Sequence, residues 1–278
     1  MRFKLNSNYL AAAMALAGLA LPSRADELAE KGRDIFKKNQ HAVVTVQEVL
    51  KVSAPGAARA NESKQELTGT VIDASGLTVL ALSACDPSEM YQRMLGADAS
   101  RGRVETEISD MKILLDDGTE LPAEIVLRDK DLDLAFIRPK VKPASPMESV
   151  DMSKTTPVQL LDQVITLNRL NSAAGRAYAA SGERVSAVIQ KPRTFYIPDS
   201  NMTSTTLGSP TFALDGKLVG VVVMRAVSSK GGATRNYRDA LTTIILPAED
   251  IAKAAAQAPE AKGDGEKKDV PKDTKDAK

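Results

Sequence analysis

The sequence predicts an all-β fold in two parts, with a helix at each end. Three observations predict it. Short runs of β-branched and apolar residues recur between positions 70 and 224 at the spacing of an all-β domain. The pairs Asp117-Gly118 and Asp215-Gly216 fall between such runs, and a glycine there takes positive φ without steric cost and closes a hairpin. Clear helical spacing is confined to residues 26–38 and 248–256.

The first residues read as a targeting segment. Arg2 and Lys4 precede an apolar run over 10–21, and Ser23-Arg24-Ala25 sets small residues at the two positions a signal peptidase reads. That run is shorter than the roughly 20 residues a bilayer span needs. No cysteine stands directly after it, which argues against a lipid anchor. Residues 1–25 are therefore expected to be a signal peptide. The mature chain is expected to be exported to the periplasm or beyond, and not to span a membrane after cleavage.

Residues 26–64 read as a helix, a strand and a loop. Leu28, Ile35 and Phe36 form the helix's apolar members, with acids early and lysines late, as the helix dipole prefers. Ala42-Val43-Val44-Thr45-Val46 is β-branched and reads as a strand. Residues 53–64 are polar and small, hold Pro55 and Gly56, and read as a loop. Residues 65–257 carry the β domain, with strands expected over 70–73, 77–82, 111–115, 120–127, 134–138, 163–167, 185–190, 211–213 and 217–224. Several are apolar throughout, which suits strands packed in a closed barrel or sandwich. The polar stretch 85–110, with Tyr91 and Met94, reads as a surface insertion with one short helix. Pro247 stands near the start of the last helix, a favoured place. In the segment 258–278 six lysines face six acids with almost nothing to bury, so a disordered tail is expected.

Composition excludes several classes of function. Cys85 is the only cysteine, so no internal disulfide forms, and a buried core position is expected for it. The sole histidine, His41, lies upstream of the first barrel strand, and a Cys/His hydrolase built from this pair is not expected. Metal-ligand spacing, calcium loops and phosphate loops are absent from the sequence, so no metal and no cofactor are implied. Tryptophan is absent and aromatics are few, which with export disfavours nucleic acid. Charge is split: residues 64–162 hold eleven basic and eighteen acidic side chains, and residues 163–240 hold ten and four. Such a field steers partners. The expectation is that the second part prefers acidic peptides or that the two parts meet between neighbouring molecules; the plain alternative is evenly solvated charge with no functional field.

The run from Thr68-Gly69-Thr70-Val71 through Leu80-Ala81-Leu82-Ser83-Ala84 resembles the strand–turn–strand of HtrA/Deg-type trypsin-like serine proteases. Met111 to Ala123 looks like that family's hairpin after the catalytic histidine. Asp129-Lys130-Asp131-Leu132-Asp133-Leu134-Ala135 is similar to its Asp-x-x-x-Asp-Leu-Ala. Val185-Ser186-Ala187 matches its Val-Ser-Ala strand, and Leu207-Gly208-Ser209-Pro210 stands where its Ser-Gly-Gly-Pro falls. Asp199 and the hairpin from Leu214 to Val221 follow the same order. The resemblance implies a trypsin/chymotrypsin-like double six-stranded β-barrel over most of 42–257. No PDZ module fits after it.

The resemblance also places the chemistry, and most of it is missing. The histidine position holds Ser83, the nucleophile position Leu207, and the oxyanion-hole glycine position Thr205, while Asp133 keeps the catalytic aspartate. Such chemistry needs a nucleophile, a base in contact with it and a carboxylate that orients the base. Asp133 is then expected to accept a hydrogen bond from Ser83, since a buried carboxylate must be paired. The implied function is a degenerate homologue that binds a peptide or protein as a scaffold or regulator, through self-association or with active homologous proteases. A protease-type cleft takes extended peptides by strand addition. It is expected to be lined by Val185, Ser186, Ala187, Thr203, Ser204, Thr205, Thr206 and Ser209. The alternative is a serine endopeptidase with a rebuilt site on Ser204 or Ser209.

Overall fold

The computed structural model describes residues 24–53, 59–89, 104–199, 206–226 and 241–259. Helix α1 (Arg24–Asn39) leads through a single 3-10 turn into β1 (Val43–Ser53). Then come β2 (Asn61–Val71), β3 (Thr78–Ala81), the one-turn helix α2 (Leu82–Cys85), β4 (Glu105–Leu114), β5 (Glu120–Asp129) and β6 (Leu134–Pro139). After a crossing segment the chain forms β7 (Gln163–Arg169), β8 (Tyr178–Ile189), β9 (Phe195–Pro198), β10 (Pro210–Ala213), β11 (Leu218–Ala226) and β12 (Leu241–Pro247). Helix α3 (Ala248–Ala255) follows. The strands close into two six-stranded antiparallel barrels, ordered β1-β2-β3-β6-β5-β4 and β10-β11-β12-β9-β8-β7. This is the double barrel that the family resemblance implies.

Strand alternation explains why β3 and β6 read as apolar throughout. Leu80, Ala135 and Ile137 point into the first barrel with Val46 and Ile113. The intervening Val79, Ala81, Leu134 and Phe136 join the core shared with the second barrel. Successive side chains of a strand point to opposite faces, so a strand buried on both faces has no polar position. Burying each large aliphatic side chain contributes about 1.5–3 kcal/mol, and Leu80, Ile113, Leu134, Phe136 and Ile137 are all fully buried. The crossing segment is tied at both ends: Val150 N donates to Val71 O of the first barrel and Leu218 N of the second donates to Lys154 O.

Both terminal helices pack on the second barrel or its edge. Ile35 of α1 is buried, Leu28 and Phe36 pack against the same core, and Phe36 meets the Tyr178 ring edge-on at 6.4 Å. In α3, Ala248, Ile251 and Ala254 are buried. Gly118 and Gly216 have φ of 84° and 80°, as the two Asp-Gly turns require. Among the described residues no helix is long and apolar enough to cross a membrane.

Two expectations are corrected. Residues 61–64 are not loop: Asn61, Glu62, Ser63 and Lys64 pair with Val52, Lys51, Leu50 and Val49 of β1. Residues 105–110 are likewise strand and not insertion, pairing with β1 from Ser53 back to Val49. Together these form a three-stranded ribbon continuing the barrel wall. Its β2 and β4 side chains are largely exposed, so no apolar alternation marks them. Two strands, β9 and β12, have no counterpart among the expected strands, and β8 begins at Tyr178 where a strand was expected only from 185. Of the expected helix in the insertion only the helical residues Ser88 and Glu89 are described; the rest lies outside the described residues, as do residues 1–23 and the tail from 260.

Candidate functional site

The site is assembled around one carboxylate. Asp133 precedes β6 with φ of 58°, a left-handed conformation that a short polar side chain tolerates better than most. Its backbone carbonyl accepts Leu82 N at 2.9 Å, which fixes the start of α2. The carboxylate then accepts three donors. Ser83 N reaches Oδ1 at 2.7 Å, Ser83 Oγ reaches Oδ2 at 2.9 Å, and Met224 N of β11 reaches Oδ2 at 2.8 Å. Burial raises the Asp133 pKa to about 6, against these three hydrogen bonds, which pull it down. The hydroxyl proton of Ser83 is thus engaged by Asp133. A serine hydroxyl has no means of accepting a proton near neutral pH, so the basic group of this pair is the buried carboxylate, which already holds three hydrogen bonds.

Leu207 lies on the turn that opens β10, and it is 5% exposed. The following Gly208 has φ of 87°, and a Cβ there would stand 2.1 Å from the carbonyl oxygen of Thr68. Only glycine lets the turn approach β2 this closely. Thr70 Oγ1 donates to Gly208 O at 2.7 Å, and Gly208 N donates to Val222 O at 2.8 Å. The turn is therefore bound to both barrels. Ser209 follows with its backbone paired to Val222 and Thr206. It is fully buried, and its hydroxyl has no hydrogen-bond partner among the described residues.

A cleft of about 780 Å³ opens between β2 and the β7–β8 connection, over Ser83 and Leu207. Leu67, Ala84, Leu207 and Met224 supply apolar surface; Gln47, Gln65, Lys64, Glu66 and Arg176 supply polar groups. Glu66 fastens the far wall. It accepts Arg176 Nε at 3.0 Å, a second guanidinium N–H at 2.5 Å, and Ser172 N at 2.8 Å. Burial alone would raise the Glu66 pKa, but the bonds from Arg176 and Ser172 outweigh it and hold the carboxyl below its usual range.

Behind the cleft lies a second carboxyl. Glu48 of β1 is fully buried, and Gln65 Nε2 donates to its Oε1 and, at 3.3 Å, to Ala84 O beside Ser83. Its Oε2 has no hydrogen-bond partner among the described residues. Burial, helped by the nearby Asp86, pushes the Glu48 pKa up to about 8. Cys85 is buried as expected, its thiol pKa raised by burial and its Sγ 3.5 Å from Leu82 O.

His41 is engaged elsewhere. Its Nδ1 lies 2.7 Å from Asp116 Oδ2 and 3.1 Å from the Tyr178 hydroxyl. Asp116 also accepts Arg169 at 2.7 Å and the Tyr178 hydroxyl, and the Arg169 guanidinium sits 3.9 Å over the Tyr178 ring. Burial would raise the Asp116 pKa; the hydrogen bonds from Tyr178, Arg169 and His41 bring it down to about 2. This cluster and the Glu66–Arg176 pair were missed in the sequence. Asp116 reads there as a residue of the Asp-Gly turn, and nothing local marks its partners.

The structure thus brings together Ser83, Asp133 and Leu207. Of the other cleft candidates, Val185 is fully buried, and Ser186 spends its hydroxyl on the carbonyls of Ile197 and Pro198. Ala187 pairs with Ile197 across a bulge between β8 and β9. These three do not line the 780 Å³ cleft, and neither do the buried Thr206 and Ser209. Thr203, Ser204 and Thr205 lie outside the described residues. No group of His, Cys, Asp and Glu among the described residues is arranged to hold a metal. The family model of the trypsin-like peptidase domain matches residues 36–221, more than half of the chain. No protein of curated function matches the sequence.

Proposed function

The chain belongs to the trypsin-like peptidase domain family, and from that premise we propose that it is a degenerate HtrA/Deg-like homologue which holds peptides in the inter-barrel cleft without cutting them. The observation that carries this reading is the Ser83–Asp133 pair. The residue beside the orienting carboxylate is a hydroxyl that donates to it, so no imidazole stands between Asp133 and the position of Leu207. Leucine there has no lone pair with which to attack a carbonyl. The buried hydroxyl of Ser209 supports the same reading, because a nucleophile must reach the cleft. The protein acts, on this proposal, in the cell envelope after export, as a scaffold or regulator for an extended polypeptide.

The test pairs cleavage of unfolded casein with binding to the same substrate, alongside labelling by an active-site serine probe. Binding with neither cleavage nor labelling is the expected outcome. Cleavage that disappears in Ser204→Ala or Ser209→Ala would overturn the proposal and establish a rebuilt serine peptidase.

A further inference from the structure

We infer that the cleft selects extended segments in which an acidic side chain stands two positions from an apolar one, with Lys64 reading the acid and Leu207 and Met224 seating the apolar group. This rests on the peptide-holding reading above and names its ligand class.

The argument begins at the edge of β2. Residues 61–70 pair with β1 along their whole length, but β3 pairs only with Thr70 and Val71. Along 61–67 the second edge of β2 therefore has no strand partner among the described residues, and Lys64 to Leu67 of that stretch line the cleft. An unpaired strand edge is a template for an added strand. A peptide laid there presents alternate side chains inward, at a spacing set by the strand itself.

Charge then decides which peptide. Glu66 is the only acid of the cleft lining among the described residues, and its two oxygens are occupied by Arg176 and Ser172. Lys64, two positions along the same strand and thus on the same face, is exposed and has no carboxylate partner among the described residues. The lining carries two cations against one acid, so an incoming carboxylate finds a partner and an incoming ammonium finds repulsion. The second barrel adds to this field, since residues 163–240 hold ten basic and four acidic side chains. The floor supplies the other half of the preference. Leucine and methionine gain from covering by an apolar side chain and offer nothing to a polar one.

The test uses the full chain and four short fluorescein-labelled peptides read by anisotropy. Each has serine at every second position; the positions between alternate Leu with Glu in the first, Leu with Lys in the second, Leu with Gln in the third and Ala with Glu in the fourth. The Leu/Glu peptide is expected to bind about fivefold tighter than Leu/Gln, the scale of one exposed ion pair, and tighter still than Leu/Lys. Lys64→Gln should erase the gap to Leu/Gln, Lys64→Glu should invert it, and salt should narrow it. Lys64 is exposed, so both variants should fold, as thermal melts will show. Equal affinity for the Glu and Lys peptides, or a preference unchanged in Lys64→Glu, overturns this inference and leaves the peptide-holding proposal standing. Equal binding of the Ala/Glu peptide overturns the apolar half. No binding by any of the four peptides, with casein not bound either, removes both.

Discussion

Asp116 of the first barrel and Arg169 of the second stand 53 residues apart in the chain and meet at 2.7 Å across the barrel junction. With Glu66 and Arg176 they use the charge asymmetry of the two halves inside one molecule. An acidic first barrel is fastened to a basic second barrel at two points. The field that suggested contacts between neighbours is thus partly spent within the chain.

Asp116→Asn should destabilise the domain by about 1–3 kcal/mol, because the Arg169 side chain is only 10% exposed and would lose its charged partner. Urea unfolding measures it. The sign with pH is set by a depressed carboxyl. The stability Asp116 contributes is complete above its ordinary value near 3.8 and is lost as pH falls toward about 2. The variant should lack that acid-limb loss.

Glu48 acts in the opposite direction. Its folded pKa of about 8 lies above the ordinary 4.5, so the folded state holds a proton that the unfolded chain releases. Stability should therefore fall as pH rises through 4.5 to 8, with a limiting slope of about 1.4 kcal/mol per pH unit. Asp133 pulls the same way only between 3.8 and about 6. The interval from pH 6 to 8 thus isolates Glu48. Glu48→Gln should flatten the curve of unfolding free energy there, and an unchanged slope would refute the assignment.

Two glycines with similar backbones should respond differently to alanine. Gly208 and Gly118 have φ of 87° and 84°, but a Cβ at Gly118 meets nothing within 4 Å while at Gly208 it meets the Thr68 carbonyl at 2.1 Å. Gly118→Ala should cost about 1–2 kcal/mol, the strain of a left-handed alanine. Gly208→Ala should cost several kcal/mol more or fail to fold, since backbone on both sides must move. Denaturation midpoints compare the two.

Asp133→Asn turns one acceptor into a donor facing Ser83 or Met224, and should cost about 1–3 kcal/mol. Ser83→Ala removes a single donor and should cost about 0.5–1.5 kcal/mol. On the proposed reading neither variant should differ from the parent protein in a casein cleavage assay, where no product is expected.

The sequence disclosed the strands whose burial leaves a pattern. Leu80 and Phe136 announce β3 and β6 because both faces are covered, and Asp215-Gly216 announces its hairpin because glycine alone takes that φ cheaply. Asn61 to Lys64 and Glu105 to Asp110 stayed hidden because their partners are paired through backbone, which has no letter in the sequence. The meeting of Ser83 with Asp133 was legible through motif order. Glu66 with Arg176 was not, since a pair 110 residues apart leaves no local trace. Nor does sequence reveal that Ser209 turns inward, because the direction follows from its pairing with Val222.

Asp133 draws its three donors from α2 and β11, one element from each barrel. A carboxylate so placed is a keystone of assembly, needed by the fold whether or not any bond is ever cut beside it. Its place is therefore accounted for by architecture, and an aspartate alone is poor grounds for reading an enzyme into a barrel of this kind.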